Sequence, residues 1–355
     1  MYTKEEENLI ILDALSHLTY KNKILLLDDG TSSEPNFEKY AEVLIKTLTV
    51  GVYNKLKKDF CDQTFRQSVL DELETKGITA ITRFSPLYPE ELALLPLPPL
   101  VLYCKGNVQL LKGDKFAIVG SRTALATARK QSENFARTLA ENFVVVTGIA
   151  DGVDTSVIEG ALESGNVICV LAHGFNYVYP AINANLLKRV IEKGLVITEF
   201  TAHVQARNFT FPIRNRIIAG LSRGVLVASA GKKSGALITA EYAFEYSKDV
   251  FAFPYSSGIE SGEGCNALIK NGANLCDDVG DILSAFGIEK KSVQAQKLSD
   301  DEKKIVDALR RRGPLHVEEV AKILNVQPFQ ITVTISMLEI KGLIAKIGGN
   351  RISAV

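Results

Sequence analysis

Residues 209–240 read FTFPIRNRIIAGLSRGVLVASAGKKSGALITA, and the succession of textures inside them decides the fold. Polar and aromatic residues run into the apolar stretch Ile217, Ile218 and Ala219, which marks a helix with one buried face. A short continuous apolar run follows at Val225 to Val227, the signature of a strand covered on both sides. Gly231, Lys232, Lys233, Ser234 and Gly235 then turn the chain into a second helix-length segment. Arg214, Asn215 and Arg216 precede the apolar run, so the reading places them on the first turn of the helix. The positive end of a helix dipole disfavours cations there unless an anion sits beside them, where backbone N–H groups and guanidinium forks all point at it.

The same alternation extends outward on both sides. Apolar strands are predicted at Phe116 to Val119, Val144 to Thr147, Val167 to Leu171, Leu195 to Thr198, Val225 to Val227, Val250 to Phe253 and Ala273 to Cys276, separated by amphipathic segments of helical length. That pattern predicts an α/β domain over 81–286, a Rossmann-like, doubly wound and mostly parallel sheet. Ligands gather outside the carboxyl ends of such strands, and the motifs lie there. One rim collects Arg122, Arg207, Arg214, Arg216, Lys232 and Lys233, interleaved with Phe175, Tyr177, Tyr179, Phe209 and Phe211. Cations track phosphates and aromatic faces stack on unpaired bases, which is what holding a single strand requires.

Composition bounds the alternatives. At 355 residues, 46% hydrophobic and 23% charged, the chain is long enough for two or three domains with cores of their own. It has no apolar run long enough to span a membrane, and its start, Met1 to Glu7, lacks the order of a secretion signal, so a cytoplasmic protein is expected. Five scattered cysteines without a Cys-x-x-Cys pair argue for free thiols, and four isolated histidines give metal catalysis little support. The formal net charge is zero, so nucleic-acid binding must come from a local cluster of cations.

Residues 1–80 read as a small helical domain, from Leu9, Ile10, Leu12 and Leu15 and again Ala41, Leu44, Ile45 and Leu48, with turns at Asp28-Asp29-Gly30 and Ser32 to Pro35. A proline-rich connector, Pro86 to Pro99, leads to a first strand at Val101 to Tyr103. Glu289 to Lys297 is polar and read as part of a linker over 287–298. Ser299-Asp300-Asp301-Glu302 is a capping box that opens a helix to about Arg310. Helices at Val317 to Leu324 and about Pro328 to Ile340, then a hairpin from Leu343 to Val355, predict a winged helix over 299–355. Its third helix offers Gln330, Thr332, Thr334 and Ser336 but no cation before Lys341, which favours a protein-contact or auxiliary role, with weak DNA contact from Arg351 as the alternative.

Other chemistries lack their signatures. No Gly-x-x-x-x-Gly-Lys-Ser/Thr is present, and Gly120 is followed by Ser121, Arg122 and Thr123, so neither a P-loop nor a dinucleotide fingerprint stands here. Ser156 and Ser234 sit in no nucleophile elbow, and no complete catalytic set emerges.

The ordered motifs Val119-Gly120-Ser121-Arg122, residues 147–154 (TGIADGVD), Tyr179-Pro180, residues 211–222 (FPIRNRIIAGLS) and residues 234–240 (SGALITA) together resemble the bacterial DNA processing protein A family, DprA or Smf. The resemblance spans about residues 78–284. It implies a helical (SAM-like) N-terminal domain, a Rossmann-like domain that binds single-stranded DNA, a closing winged helix, a homodimer, protection of incoming strands and loading of the RecA recombinase in natural transformation, without catalysis or cofactor. Carried onto this sequence, it implies single-strand contacts from Gly120, Ser121, Arg122, Gly148, Arg207, Phe211, Arg214, Asn215, Arg216, Lys232, Lys233, Ser234 and Gly235, and it predicts that Arg122→Ala or Arg214→Ala weakens binding with the fold intact. The chain departs from the family at Val157-Ile158, at Ala228-Ser229-Ala230, and at Ala181 to Asn185, where no basic residue comes before Lys188.

A second class stays open. The same fold is similar to that of phosphoribohydrolases acting on nucleotides, and Glu241 lies where such an enzyme would carry its glutamate. Against it, Ala236 and Leu237 stand where glycines would let backbone amides approach phosphate.

Overall fold

The computed structural model describes residues 2–28, 30, 32–288, 298–340 and 343–354. The stretch 289–297 read as a linker lies outside them, as do Asp29 of the predicted turn, Lys341, and Val355 of the hairpin. The chain divides into two units, 1–286 and 287–355.

In the first unit, helices α1 (Lys4–Ala14), α2 (Tyr20–Leu26), α3 (Ala41–Thr47), α4 (Val50–Cys61) and α5 (Gln63–Thr75) lead into β1 (Thr79–Thr82), a short α6 (Glu90–Ala93) and β2 (Val101–Gly106). Then strands and helices alternate: β3 (Lys115–Gly120), α7 (Ala126–Leu139), β4 (Val144–Thr147), α8 (Val153–Ala161), β5 (Val167–Val170), α9 (Ala184–Lys193), β6 (Leu195–Thr198), α10 (Thr210–Leu221), β7 (Gly224–Ser229), α11 (Gly235–Glu245), β8 (Asp249–Ala252), α12 (Glu263–Lys270), β9 (Asn274–Leu275) and α13 (Val279–Ala285). The sheet order is β1-β2-β6-β5-β4-β3-β7-β8-β9. Neighbours from β6 to β9 pair in parallel, whereas β2 runs antiparallel to both β6 and β1.

The alternation follows from burial. On one face Ala117, Val119, Val146, Val170, Ile197, Val225 and Val227 pack with Ile217, Ile218 and Leu221 of α10 and with Ala236, Ala240 and Ala243 of α11. The residues between them point the other way, where Phe116, Phe143, Phe251 and Phe286 form an aromatic group with ring centroids 5.7 to 6.4 Å apart. With both faces covered, each strand reads as a continuous apolar run. Right-handed crossovers put α7, α8 and α9 on one side of the sheet and α10, α11 and α12 on the other. Each fully buried Val, Leu, Ile or Phe contributes about 1.5–3 kcal/mol of transfer free energy, so dozens of them dominate the fold.

The helical segment expected over 1–80 shares a core with the sheet. Leu9, Leu12, Leu26, Leu44, Leu56 and Leu73 pack with Ile78 and Ala80 and with Leu100, Val101 and Tyr103. The boundary drawn at residue 80 falls inside β1.

The second unit has α14 (Asp300–Arg312), β10 (Leu315–His316), α15 (Val317–Leu324), α16 (Thr332–Ile340), β11 (Ile344–Ile347) and β12 (Arg351–Ala354), with sheet order β10-β12-β11. It is a winged helix. The predicted capping box forms: Ser299 Oγ accepts from Glu302 N at 3.2 Å and Ser299 N donates to the Glu302 carboxylate at 2.8 Å. Asn325 ends α15 at φ 56°, a left-handed cap that Asn tolerates.

Candidate nucleic-acid interface

Strand order reverses between β3 and β7, since β4, β5 and β6 lie to one side and β8 and β9 to the other. At such a switch point the loops leaving the two strands diverge and open a crevice. Here it is a cavity of about 810 Å³ lined by the loop after β3, the start of α8, the first turns of α10, the turn into α11 and the segment 258–261 after β8.

The floor is built by backbone packed on backbone. Ser121 N donates to Ser229 O at 2.8 Å, which ties the two switch-point strands together. Gly152 sits at φ 87°, and a Cβ there would lie 2.4 Å from Ser121 O and 2.6 Å from Arg122 O. A Cβ on Gly120 would meet Val153 Cγ2 at 2.5 Å. Only glycine lets the two loops approach this closely. Ser121 Oγ accepts from Thr123 N at 3.1 Å, so the turn that carries Arg122 is held at its base.

Phe211, in the first turn of α10, is the hub of the side chains. The Arg122 guanidinium lies 5.2 Å from its ring centroid, that of Arg214 5.9 Å, and Tyr179 meets it edge-on at 5.8 Å. Arg122 is exposed, so its charge is available to an incoming anion. Lys233 faces the same cavity and is exposed. Ser234 caps α11, its Oγ accepting from Ala236 N at 3.3 Å, so the first turn of α11 opens onto the cavity.

Arg214 differs from Arg122 in kind. It is 7% exposed; its Nη1 donates to Val170 O at 2.6 Å and its Nε to Asn215 Oδ1 at 3.0 Å. Asp154 accepts from Ala150 N at 3.1 Å. A Cβ on Gly148 would fall 2.4 Å from both Arg214 Nη1 and Asp154 Oδ2, so the glycine leaves the space into which this pair reaches. Burial pushes the Asp154 carboxyl up, and the Arg214 charge opposes that shift. Burial likewise lowers Arg214, with Asp154 opposing. Asn215 is buried and donates to Gly235 O at 3.1 Å, which links α10 to the turn into α11. His173, 1% exposed, donates from Nδ1 to Gly174 O at 2.9 Å, and burial lowers its pKa, with backbone hydrogen bonds opposing the shift.

The structure thus brings Gly120, Ser121, Arg122, Phe211, Arg214, Asn215, Lys233, Ser234 and Gly235 to one cavity, with Gly148 behind Arg214. Arg216 is not among the lining residues. It is 6% exposed, donates from Nη1 to Leu97 O at 2.6 Å and pairs through Nη2 with Glu199. The helix begins at Thr210, a turn earlier than expected, so Arg214 and Arg216 lie past its first turn. Being two positions apart, they point to roughly opposite sides. Arg207 is exposed at the entry to α10, outside the lining, and Lys232 is turned to Glu263 at 3.4 Å. Phe175 packs on the core shared by the helical segment, with Lys105 Nζ 5.1 Å from its ring centroid, so it leaves the expected aromatic rim.

Glu241 is exposed and outside the cavity lining, and Ser156 Oγ donates to Gly152 O at 3.3 Å. Among the described residues, no group of three or more His, Cys, Asp and Glu is placed to hold a metal ion, and no helix is long and apolar enough to cross a membrane. Sequence reasoning gave no role to Asp154 or to Ile259, Glu260 and Ser261 in the cavity wall. Their signals were available: an acid two residues past a turn glycine, and the loop at the carboxyl end of β8.

Comparison with known proteins agrees with this architecture. The family model for DNA recombination-mediator protein A matches residues 79–287, and that for the DprA winged helix domain matches residues 289–350. DNA processing protein DprA of Streptococcus pneumoniae is 41% identical over 200 residues, 56% of this chain and 71% of that protein. Protein Smf of Synechocystis is 35% identical over 252 residues, 69% of this chain and 62% of that one. The X-ray structure of the S. pneumoniae protein superimposes with a TM-score of 0.69 at 32% identity, covering 80% of this chain and 98% of its own. A structure of DNA processing protein A from Helicobacter pylori, described for its single-stranded DNA binding mode, superimposes with a TM-score of 0.55 at 28% identity, covering 59% of this chain and 95% of its own.

Proposed function

This chain belongs to the DNA recombination-mediator protein A family, and from that membership we propose that it holds single-stranded DNA in the cavity at the β3–β7 switch point. The observation that carries the reading is the pairing of an exposed cation with a ring: Arg122 over Phe211, with Lys233 in the same cavity. Phosphates fit against Arg122, Lys233 and the first turn of α11, where charge and backbone donors converge. Unpaired bases fit against Phe211 and Tyr179, because every base has a face to stack and the contact needs no particular sequence. Arg214 acts from behind, fixed by Val170 O, and raises the local positive potential without spending side-chain entropy on binding.

We extend the reading, with family membership as its support, to a wider role: a cytoplasmic, non-catalytic mediator that dimerises, shields incoming strands and hands them to RecA in natural transformation. The winged helix acts there as a contact for protein.

Fluorescent oligo-dT and its duplex, titrated across a salt series, test the reading. We expect sequence-tolerant single-strand binding whose log affinity falls linearly with log salt, by roughly 0.7 per phosphate engaged. In Arg122→Ala the slope drops by about one such contact. Equal affinity for duplex, or a slope unchanged in Arg122→Ala, would remove the cavity from the mechanism.

A further inference from the structure

The winged-helix unit carries a face that the DNA reading does not use. From Val326 to Leu338 the sequence holds no charged residue, in a chain that is 23% charged. Ile331, Ile335 and Leu338 fill the unit's core. On the outward side Phe329 is 75%, Val333 71% and Met337 48% exposed, with Val326 at the same end as Phe329. These three positions recur every four residues along the 3₁₀ turn Pro328–Ile331 and α16, so they form one stripe. The first charge after the stripe, Glu339, is paired with Lys346 at 2.8 Å inside the unit.

We propose that this stripe is a self-association face, occupied by the same stripe of a second copy. Three properties of the stripe single out that partner. It has no cation for phosphates, so nucleic acid finds nothing to pair with. It has no uncompensated charge, so two copies meet without repulsion. Its order is self-complementary: with two α16 helices antiparallel about a two-fold axis at Val333, Phe329 and Met337 lie about 6 Å to either side, and each Phe329 ring meets the partner's Met337 thioether, a favourable sulfur–aromatic contact. Thr332, Thr334 and Ser336 are small enough to let the helices close. The exposed parts of Val326, Phe329, Val333 and Met337 amount to on the order of 400 Å² per copy, and roughly twice that in the pair, short of the ~1,000 Å² that a stable interface clears, which makes this a weak, transient contact. This contact is separate from any dimer made by the first unit and does not depend on the DNA reading.

The full-length chain tests it. Cys61 is exposed while the other four cysteines are buried, so Cys61→Ser provides the background. In that background Val333→Cys places a thiol on the axis, and Lys322→Cys, exposed on α15, serves as the control. Under mild oxidation we expect Val333→Cys to form disulfide-linked dimers at least tenfold faster than the control. Sedimentation equilibrium should show Met337→Glu, folded by circular dichroism, raising at least tenfold the dissociation constant of the association step that a chain ended at residue 286 lacks, with oligo-dT affinity unchanged. Equal cross-linking of the two cysteine variants, or an unchanged constant, overturns the proposal. So does loss of oligo-dT binding without a change in association, which would assign the stripe to nucleic acid.

Discussion

Arg214 and Arg216 look alike in the sequence, yet one faces the cavity and the other anchors its helix elsewhere. Sequence separation alone cannot show whether a guanidinium meets solvent, a carbonyl or a buried carboxylate. Arg122→Ala removes an exposed cation and should weaken oligo-dT binding roughly 10- to 100-fold with the urea midpoint unmoved. Arg216→Ala leaves the largely buried Glu199 carboxyl without its partner, so it should lower unfolding free energy by about 3–5 kcal/mol and leave the salt slope of binding as it was. A stable Arg216→Ala protein with weakened binding would return that residue to the interface. The Arg214→Ala variant no longer belongs with Arg122→Ala, because its partner Val170 O lies in the core and the fold will feel the loss.

At the level of the element, the strands were legible because burial on both faces leaves no polar alternation: Val144–Thr147 and Leu195–Thr198 were placed to the residue. The Ser299 capping box and the α15 boundaries were legible for a local reason, since caps are written in neighbouring residues. The start of α10 was missed because Phe209, Thr210 and Pro212 resemble a loop, although proline is welcome in a first turn. The antiparallel partnership of β2 with β6 was also hidden, being a long-range pairing with no sequence signature. The end of β6 carries a titration that can be measured. Burial lifts Glu199 to about 7 from its usual 4.5, with Arg216 pulling the other way. The folded-state value lies above the unfolded one, so the native state binds the extra proton between them. The associated stability is complete below about pH 4.5 and is lost as pH rises through 7. Between pH 5 and pH 8, the stability of the wild type relative to Glu199→Gln should therefore fall, by something on the order of 2–3 kcal/mol. A pH-independent difference would mean that the carboxyl keeps its ordinary value.

Across the whole molecule, the helical segment and the sheet share one core, so residues 1–286 should unfold as a single cooperative transition. A chain ended at residue 286 should keep that transition and its oligo-dT affinity, whereas a chain begun at residue 78 should lose cooperative melting, since Leu100, Val101 and Tyr103 would face water. Two melting steps in the 1–286 chain would separate the helical segment as a domain after all. The position of α10 in this unit has a further consequence. It is tied at Arg214 to the strand carrying Val170, at Asn215 to the turn into α11, and at Arg216 to the connector that also receives Tyr20 and Tyr88. On the proposed reading, a strand held in the cavity loads the same helix that braces the connector, and by thermodynamic reciprocity any factor by which occupancy of the cavity changes a ligand's affinity for the connector is the factor by which that ligand changes the affinity of the cavity. The amino-terminal segment, whose described residues contribute none of the cavity's lining, is on that reading a tuning peg for it.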